Sequence, residues 1–227
     1  MCFSTEASFT TALVLGSTGA VTLKNCSSRS QFFLAAIPFL FAIQQFSEGL
    51  IWLHFSQGIE SLSLFFSGKR AFLIFAFLIW PIWIPLSLAV LERIPWRRNL
   101  LYLNLACGAG LSLVNLIYGL QQDISVQVVQ HSLHYSGQVP SQTYLYPLIV
   151  LLPCFLSSLK NIGIFGLFTV FSYLIADYYY ENNFVSVWCF FAAIVSLFIY
   201  KIVKDNQAIA EKEEIFVRSF KKDSDQS

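Results

Sequence analysis

The sequence predicts an all-α membrane protein, a seven-helix transmembrane bundle with its N-terminus outside and its C-terminus in the cytoplasm. Composition is the first observation: 56% of the 227 residues are hydrophobic and 12% charged, against about 25% charged in soluble domains. The second is where the charges fall. No Asp, Glu, Lys or Arg occurs in 7–23, 71–91, 99–122, 161–176 or 182–200, and Glu48 alone interrupts 30–59. Such runs have the length, about 17–25 residues, that crosses hydrocarbon. The third is a bias of Lys and Arg toward alternate loops, which sets orientation.

In chain order, residues 8–23 form the first span. Lys24 and Arg29 follow it and no basic residue precedes it, the reverse of a secretory signal peptide. Ala12, Gly16 and Ala20 recur at four-residue spacing, predicting a close helix–helix approach. Span two covers 31–54, with Pro38 in its first half. Residues 55–70 are expected as an exterior loop ending in Lys69 and Arg70. Span three, 71–91, holds Trp80-Pro81-Ile82-Trp83-Ile84-Pro85 at its centre. Its prolines predict a kink and free carbonyls that neighbours must satisfy.

Arg93, Arg97 and Arg98 crowd the short loop before span four, 99–120, which contains Cys107-Gly108-Ala109-Gly110, Asn115 and Tyr118. Residues 121–143 are polar, lack Lys and Arg, and are expected as a loop. Span five covers 144–159, span six 162–178 and span seven 183–203. Residues 1–203 thus form one transmembrane domain and 204–227 a charged cytoplasmic tail. In this topology twelve of the fourteen basic residues face the cytoplasm, Lys69 and Arg70 being the exceptions. The five cysteines, three of them inside spans, do not outline a disulfide framework. No basic stripe points to nucleic acid. No nucleophile elbow, phosphate-binding glycine loop or dinucleotide fingerprint is present.

One span carries an ionisable group. At about 100° per residue, Phe41, Gln44, Gln45, Glu48 and Trp52 share a face of span two. Glu48 lies six residues inside the span, roughly 9 Å deep, and an intramembrane carboxyl marks a functional or internally paired site. No Lys or Arg is expected at its depth, so Glu48 is expected as the neutral acid, hydrogen-bonded across the bundle. Asn115, Trp188 and, somewhat deeper, Trp80 come near the same level. Gln45, Glu48, Trp80, Asn115 and Trp188 therefore outline a candidate polar pocket opening outward. His131 and His134, three apart, are the candidate metal ligands, zinc being the metal such a pair would favour; otherwise no cofactor is expected.

Several segments resemble an uncharacterised bacterial family of multi-pass membrane proteins, domain of unknown function 6629. They are Met-Cys-Phe-Ser-Thr-Glu-Ala-Ser-Phe (1–9), Ile-Gln-Gln-Phe-Ser-Glu-Gly-Leu-Ile-Trp (43–52), Trp-Pro-Ile-Trp-Ile-Pro (80–85), Leu-Ser-Ser (156–158) and Ser-Val-Trp-Cys-Phe-Phe-Ala-Ala (186–193). The resemblance spans about residues 1–200 and implies a bacterial inner-membrane protein, without supplying an activity. A looser similarity, in topology and histidine count, links the chain to seven-span membrane hydrolases such as alkaline ceramidases. The chain lacks their His-x-x-x-His pair within a span.

The leading expectation is binding of a small molecule or lipid in an outward-facing pocket around Glu48, with the bilayer as the other partner. The alternatives are a metal-dependent membrane hydrolase using His131 and His134, and a channel or proton-coupled carrier in which Glu48 titrates.

Overall fold

The computed structural model describes residues 4–57, 62–121, 124–129, 132–136, 145–180 and 183–208. Among these the helices join into seven rods. The first is α1 (Thr5–Lys24); the second joins α2 (Arg29–Ala35) to α3 (Ile37–Gln57) across a break at Ala36. The third is α4 (Leu62–Ile74), a π-helical turn (Phe75–Ile79) and α5 (Trp80–Ala89); the fourth is α6 (Pro95–Gln121). After a hairpin of β1 (Ser125–Val129) and β2 (Ser132–Ser136) come α7 (Leu145–Leu156), α8 (Ile162–Tyr179) and α9 (Phe184–Ser196), the last continued by 199–208. Five rods, Arg29–Ser56, Ser63–Ala89, Pro95–Gln121, Ile162–Tyr179 and Phe184–Ala208, are long and apolar enough to cross a membrane.

Packing closes rods two to seven into a ring. α3 lies against α4 and α9, α5 against α2, α6 and α7, and α8 against α7 and α9, while α1 lies along the outside of α3. The ring holds a few polar side chains within a largely apolar core and is apolar without. Gln44, Gln45, Glu48, Asn115 and Ser186 are buried, whereas Leu103, Leu113 and Leu120 on α6 and Leu167, Phe168, Phe171 and Leu174 on α8 are exposed. Contiguous apolar faces of this extent exceed what a soluble monomer shows to water.

The α1–α3 seam differs from the expected ladder. Thr5, Ser8, Ala12, Leu15, Gly19 and Thr22 are buried, a 3.5-residue repeat of the kind that winds two helices left-handedly. Gly16 is only partly covered and Ala20 is exposed. The close approach falls at Gly19, where a Cβ would stand 2.6 Å from the Phe39 backbone nitrogen, and at Gly49, where it would stand 2.7 Å from the Phe9 ring.

Two further expectations are corrected. The segment 55–70 is not all loop: α4 begins at Leu62, so Lys69 and Arg70 are helical. Lys69 is buried and its Nζ donates to the Ile124 carbonyl at 3.0 Å, which holds the chain entering the hairpin. The stretch 121–143, expected as a loop in an all-α fold, contains the antiparallel hairpin, with Val126 opposite Tyr135 and Val128 opposite Leu133. Val126, Leu133 and Tyr135 are buried. β2 packs on α9, Tyr135 stacks on Phe72 of α4 with ring centroids 4.9 Å apart, and Asn183 donates to the Val129 carbonyl at 2.9 Å. The hairpin is thereby tied to two rods and covers one end of the ring.

Candidate functional site

The site begins with the bend in the third rod. Across the π turn the Trp80 N–H bonds to the Phe75 carbonyl, which deprives the Ala76 carbonyl of its usual donor. Pro81, which has no N–H, deprives the Phe77 carbonyl of its own. Side chains of other rods fill these places. Tyr146 Oη donates to the Ala76 carbonyl, Asn115 Nδ2 to Phe77 at 3.0 Å and Ser112 Oγ to Leu78 at 3.0 Å. Gly108 permits the approach: a Cβ there would stand 1.9 Å from the Pro81 carbonyl oxygen. The carbonyls that the prolines were expected to free are thus met by α6 and α7. Asn115, placed by sequence in the Glu48 pocket, spends its amide N–H on this bend.

The bend sets the indoles. Trp83 Nε1 donates to the Phe33 carbonyl at 2.8 Å, beside the α2–α3 break. Trp80 Nε1 donates to Gln44 Oε1 at 2.7 Å and its ring stacks on Phe41 at 4.0 Å. Trp80 thus reaches the polar face of α3 through Gln44 rather than Glu48.

Glu48 is 1% exposed. One carboxyl oxygen accepts from Ser186 Oγ on α9, and the other from Gln45 Nε2 at 3.3 Å. Tyr135 and Cys189 lie within electrostatic reach of the carboxyl. Burial holds the Tyr135 phenol well above its ordinary value, so it stays a neutral hydroxyl. Among the described residues, the buried atoms Gln45 Oε1 and Trp52 Nε1 on α3, Trp188 Nε1 on α9 and Tyr135 Oη on β2, the three elements that meet at this carboxyl, have no hydrogen-bond partner. An unsatisfied buried group costs about 1–3 kcal/mol, so such a set is not packing alone.

The structure therefore joins Gln45 and Glu48 directly, brings in Trp80 through Gln44, and places Trp188 two residues beyond Ser186. A cavity of about 40 Å³ lies in the ring, two turns of α3 from Glu48, among Phe41, Trp80, Tyr146, Phe165, Trp188 and Ala192. It is apolar, and Glu48 does not line it. Sequence reasoning missed Ser186 and Tyr135. Ser186 could have been found, since it stands at the depth of Glu48 in the Ser-Val-Trp-Cys segment. Tyr135 could not be placed without the hairpin.

A second carboxylate, Glu92, occupies the opposite end. Its Oε1 accepts from Ser158 Oγ at 2.6 Å and the Ile94 N–H at 3.0 Å, and its Oε2 from the Ser158 N–H at 2.6 Å. Burial pushes this carboxyl up, but the bonds from Ser158, Ile94 and Ser157 outweigh it and hold Glu92 below the usual carboxylate value. Glu92 staples the α5–α6 loop to the α7–α8 loop.

Of the candidate metal ligands, His131 lies outside the described residues. His134 is half-buried on β2, opposite Gln127. Among the described residues no three His, Cys, Asp or Glu side chains are grouped to hold a metal ion.

Comparison with curated proteins and with solved structures gives no match. Residues 1–214 match the family of unknown function DUF6629, and the chain belongs to that family.

Proposed function

We propose that this is a bacterial inner-membrane protein of seven spans, N-terminus outside, that binds a small ligand or the polar group of a lipid at Glu48, beneath the β1–β2 hairpin. The observation that carries the reading is the set of unpartnered buried atoms on α3, α9 and β2, the elements that meet at the carboxyl. Three are donors, the Trp52 and Trp188 N–H and the Tyr135 O–H; one is the Gln45 acceptor. The complementary ligand presents acceptor oxygens to the indoles and the phenol and shares the Glu48 proton. With no cation bonded to it among the described residues, Glu48 is read as the neutral acid: its carbonyl oxygen accepts from Ser186, and its hydroxyl accepts from Gln45 Nε2 and leaves its proton for the ligand. The enclosure supports an occluded state, with entry requiring the hairpin to move.

The test compares wild type with Glu48→Gln and Glu48→Ala. The Gln variant keeps size and hydrogen-bonding capacity and should melt like wild type, whereas the Ala variant should lose about 1–3 kcal/mol. Infrared difference spectra should show a buried carboxyl band absent from the Gln variant. Mass spectrometry should find a small molecule or lipid that co-purifies with wild type and is depleted in the Gln variant. Equal co-purification in both, with no carboxyl band, would reduce Glu48 to a packing residue.

A further inference from the structure

The end of the bundle away from the hairpin carries a second feature. There the loop after α1 meets the loop after α5, because α2 packs on α5, and the helix 199–208 closes a third side. Gln207 Nε2 donates to the Asn25 carbonyl at 2.5 Å and to Gln31 Oε1 at 3.1 Å. Between these segments lies a basin of about 670 Å³, lined among others by Ser28, Ser30, Gln31, Glu92, Arg93 and Arg98.

The lining is unlike the rest of the molecule. It joins two guanidinium groups from one loop and helix start to hydroxyls from another loop. The Arg98 guanidinium makes no hydrogen bond or ion pair among the described residues, its backbone N–H alone bonding to the Ile94 carbonyl. Glu92, the one acid in the lining among the described residues, is engaged by three donors from outside the basin, Ser158 N–H, Ser158 Oγ and Ile94 N–H. Three of its roughly four lone-pair positions are therefore taken. Ser28 and Ser30 hold each other at 2.9 Å, leaving one hydroxyl proton of the pair free to turn into the basin. A guanidinium presents a planar fork of donors matched to phosphate oxygens, and hydroxyls complete such a shell. The volume admits a phosphate with an organic substituent, more than a lone ion needs.

We propose that this basin binds a phosphate-bearing anion, its phosphate oxygens held by Arg93, Arg98 and the Ser28–Ser30 hydroxyls. The same chemistry belongs to a phospholipid headgroup and to a soluble phosphate ester. The reading stands independently of the Glu48 site at the other end.

The experiment places the full chain in phosphatidylcholine nanodiscs. One arm titrates glycerol 3-phosphate by calorimetry. The other adds phosphatidylglycerol and counts retained lipid by native mass spectrometry. Wild type, Arg93→Gln/Arg98→Gln and, as a control at the opposite end, Arg70→Gln are compared. Both basin arginines are exposed, and unchanged melting of the double variant checks that it folds. The expected result is binding in at least one arm, weakened about tenfold or more in the double variant and unchanged in Arg70→Gln. Weakening in the first arm identifies a soluble ester, and in the second alone a lipid headgroup. Binding in neither arm, or equal binding by wild type and double variant, overturns the proposal.

Discussion

Replacing Gly108 by alanine adds a single carbon, and the structure says where it goes. The new Cβ would stand 1.9 Å from the Pro81 carbonyl oxygen and 3.3 Å from Ile149 Cγ2. A relaxed carbon–oxygen contact is about 3.3 Å, so α6 must retreat by about 1.4 Å from a backbone group that cannot swing aside. The retreat also stretches the bonds from Asn115 to Phe77 and from Ser112 to Leu78, both 3.0 Å. Losing them costs of order 0.6 kcal/mol each by membrane averages, and overpacking adds about 1–3 kcal/mol. The better helix propensity of alanine returns about 0.5–1 kcal/mol. The net expectation for Gly108→Ala is a loss of about 1–4 kcal/mol. Gly110→Ala is the control, because nothing lies within 4 Å of its Cβ position; it should match or exceed wild type. Unfolding by sodium dodecyl sulfate in mixed micelles, followed by tryptophan fluorescence, measures both. Equal stability of the two variants would refute the contact between α5 and α6 and the account of the bend.

The remaining predictions concern charge and orientation. Glu92 has a folded pKa below its ordinary carboxylate value, so its contribution is complete above that value and is lost as pH falls through the lowered one. Glu92→Gln should cost about 2 kcal/mol at neutral pH, the scale of bonds to a charged group, and flatten the acid limb of a stability–pH curve; an unchanged limb would separate Glu92 from acid sensitivity. For orientation, an impermeant thiol reagent on intact cells should label Ser136→Cys and spare Asn99→Cys. Labelling of Asn99→Cys alone would invert the topology.

The helical segments and the bend were legible because both follow from short-range rules: uncharged runs of the right length, and prolines that remove N–H groups. The site was only half legible. Depth along a helix is one coordinate of three. Asn115 was expected near the level of the α3 polar face but points at the third rod, since helix order and rotation are decided by packing partners such as Gly108 and Pro81. The hairpin was obscured because Ser125–Val129 and Ser132–Ser136 alternate weakly, with serine and glutamine on the open side, in a segment whose polarity reads as loop. The early start of α4 was hidden for a related reason. Lys69 and Arg70 look like the end of a loop, although Lys69 is spent on the Ile124 carbonyl.

The braced bend bears on how the chain is made. The carbonyls of Ala76 and Phe77 wait for donors 70 and 38 residues downstream, at Tyr146 and Asn115. A ribosome delivering the third rod has yet to synthesise either of them, and an unsatisfied carbonyl in hydrocarbon costs several kcal/mol. The third rod therefore has reason to linger at the insertion machinery, or to enter straight and bend later, until the fourth and fifth rods arrive. Truncation after the third rod should yield a poorly retained fragment, and truncation after the fifth a stable one.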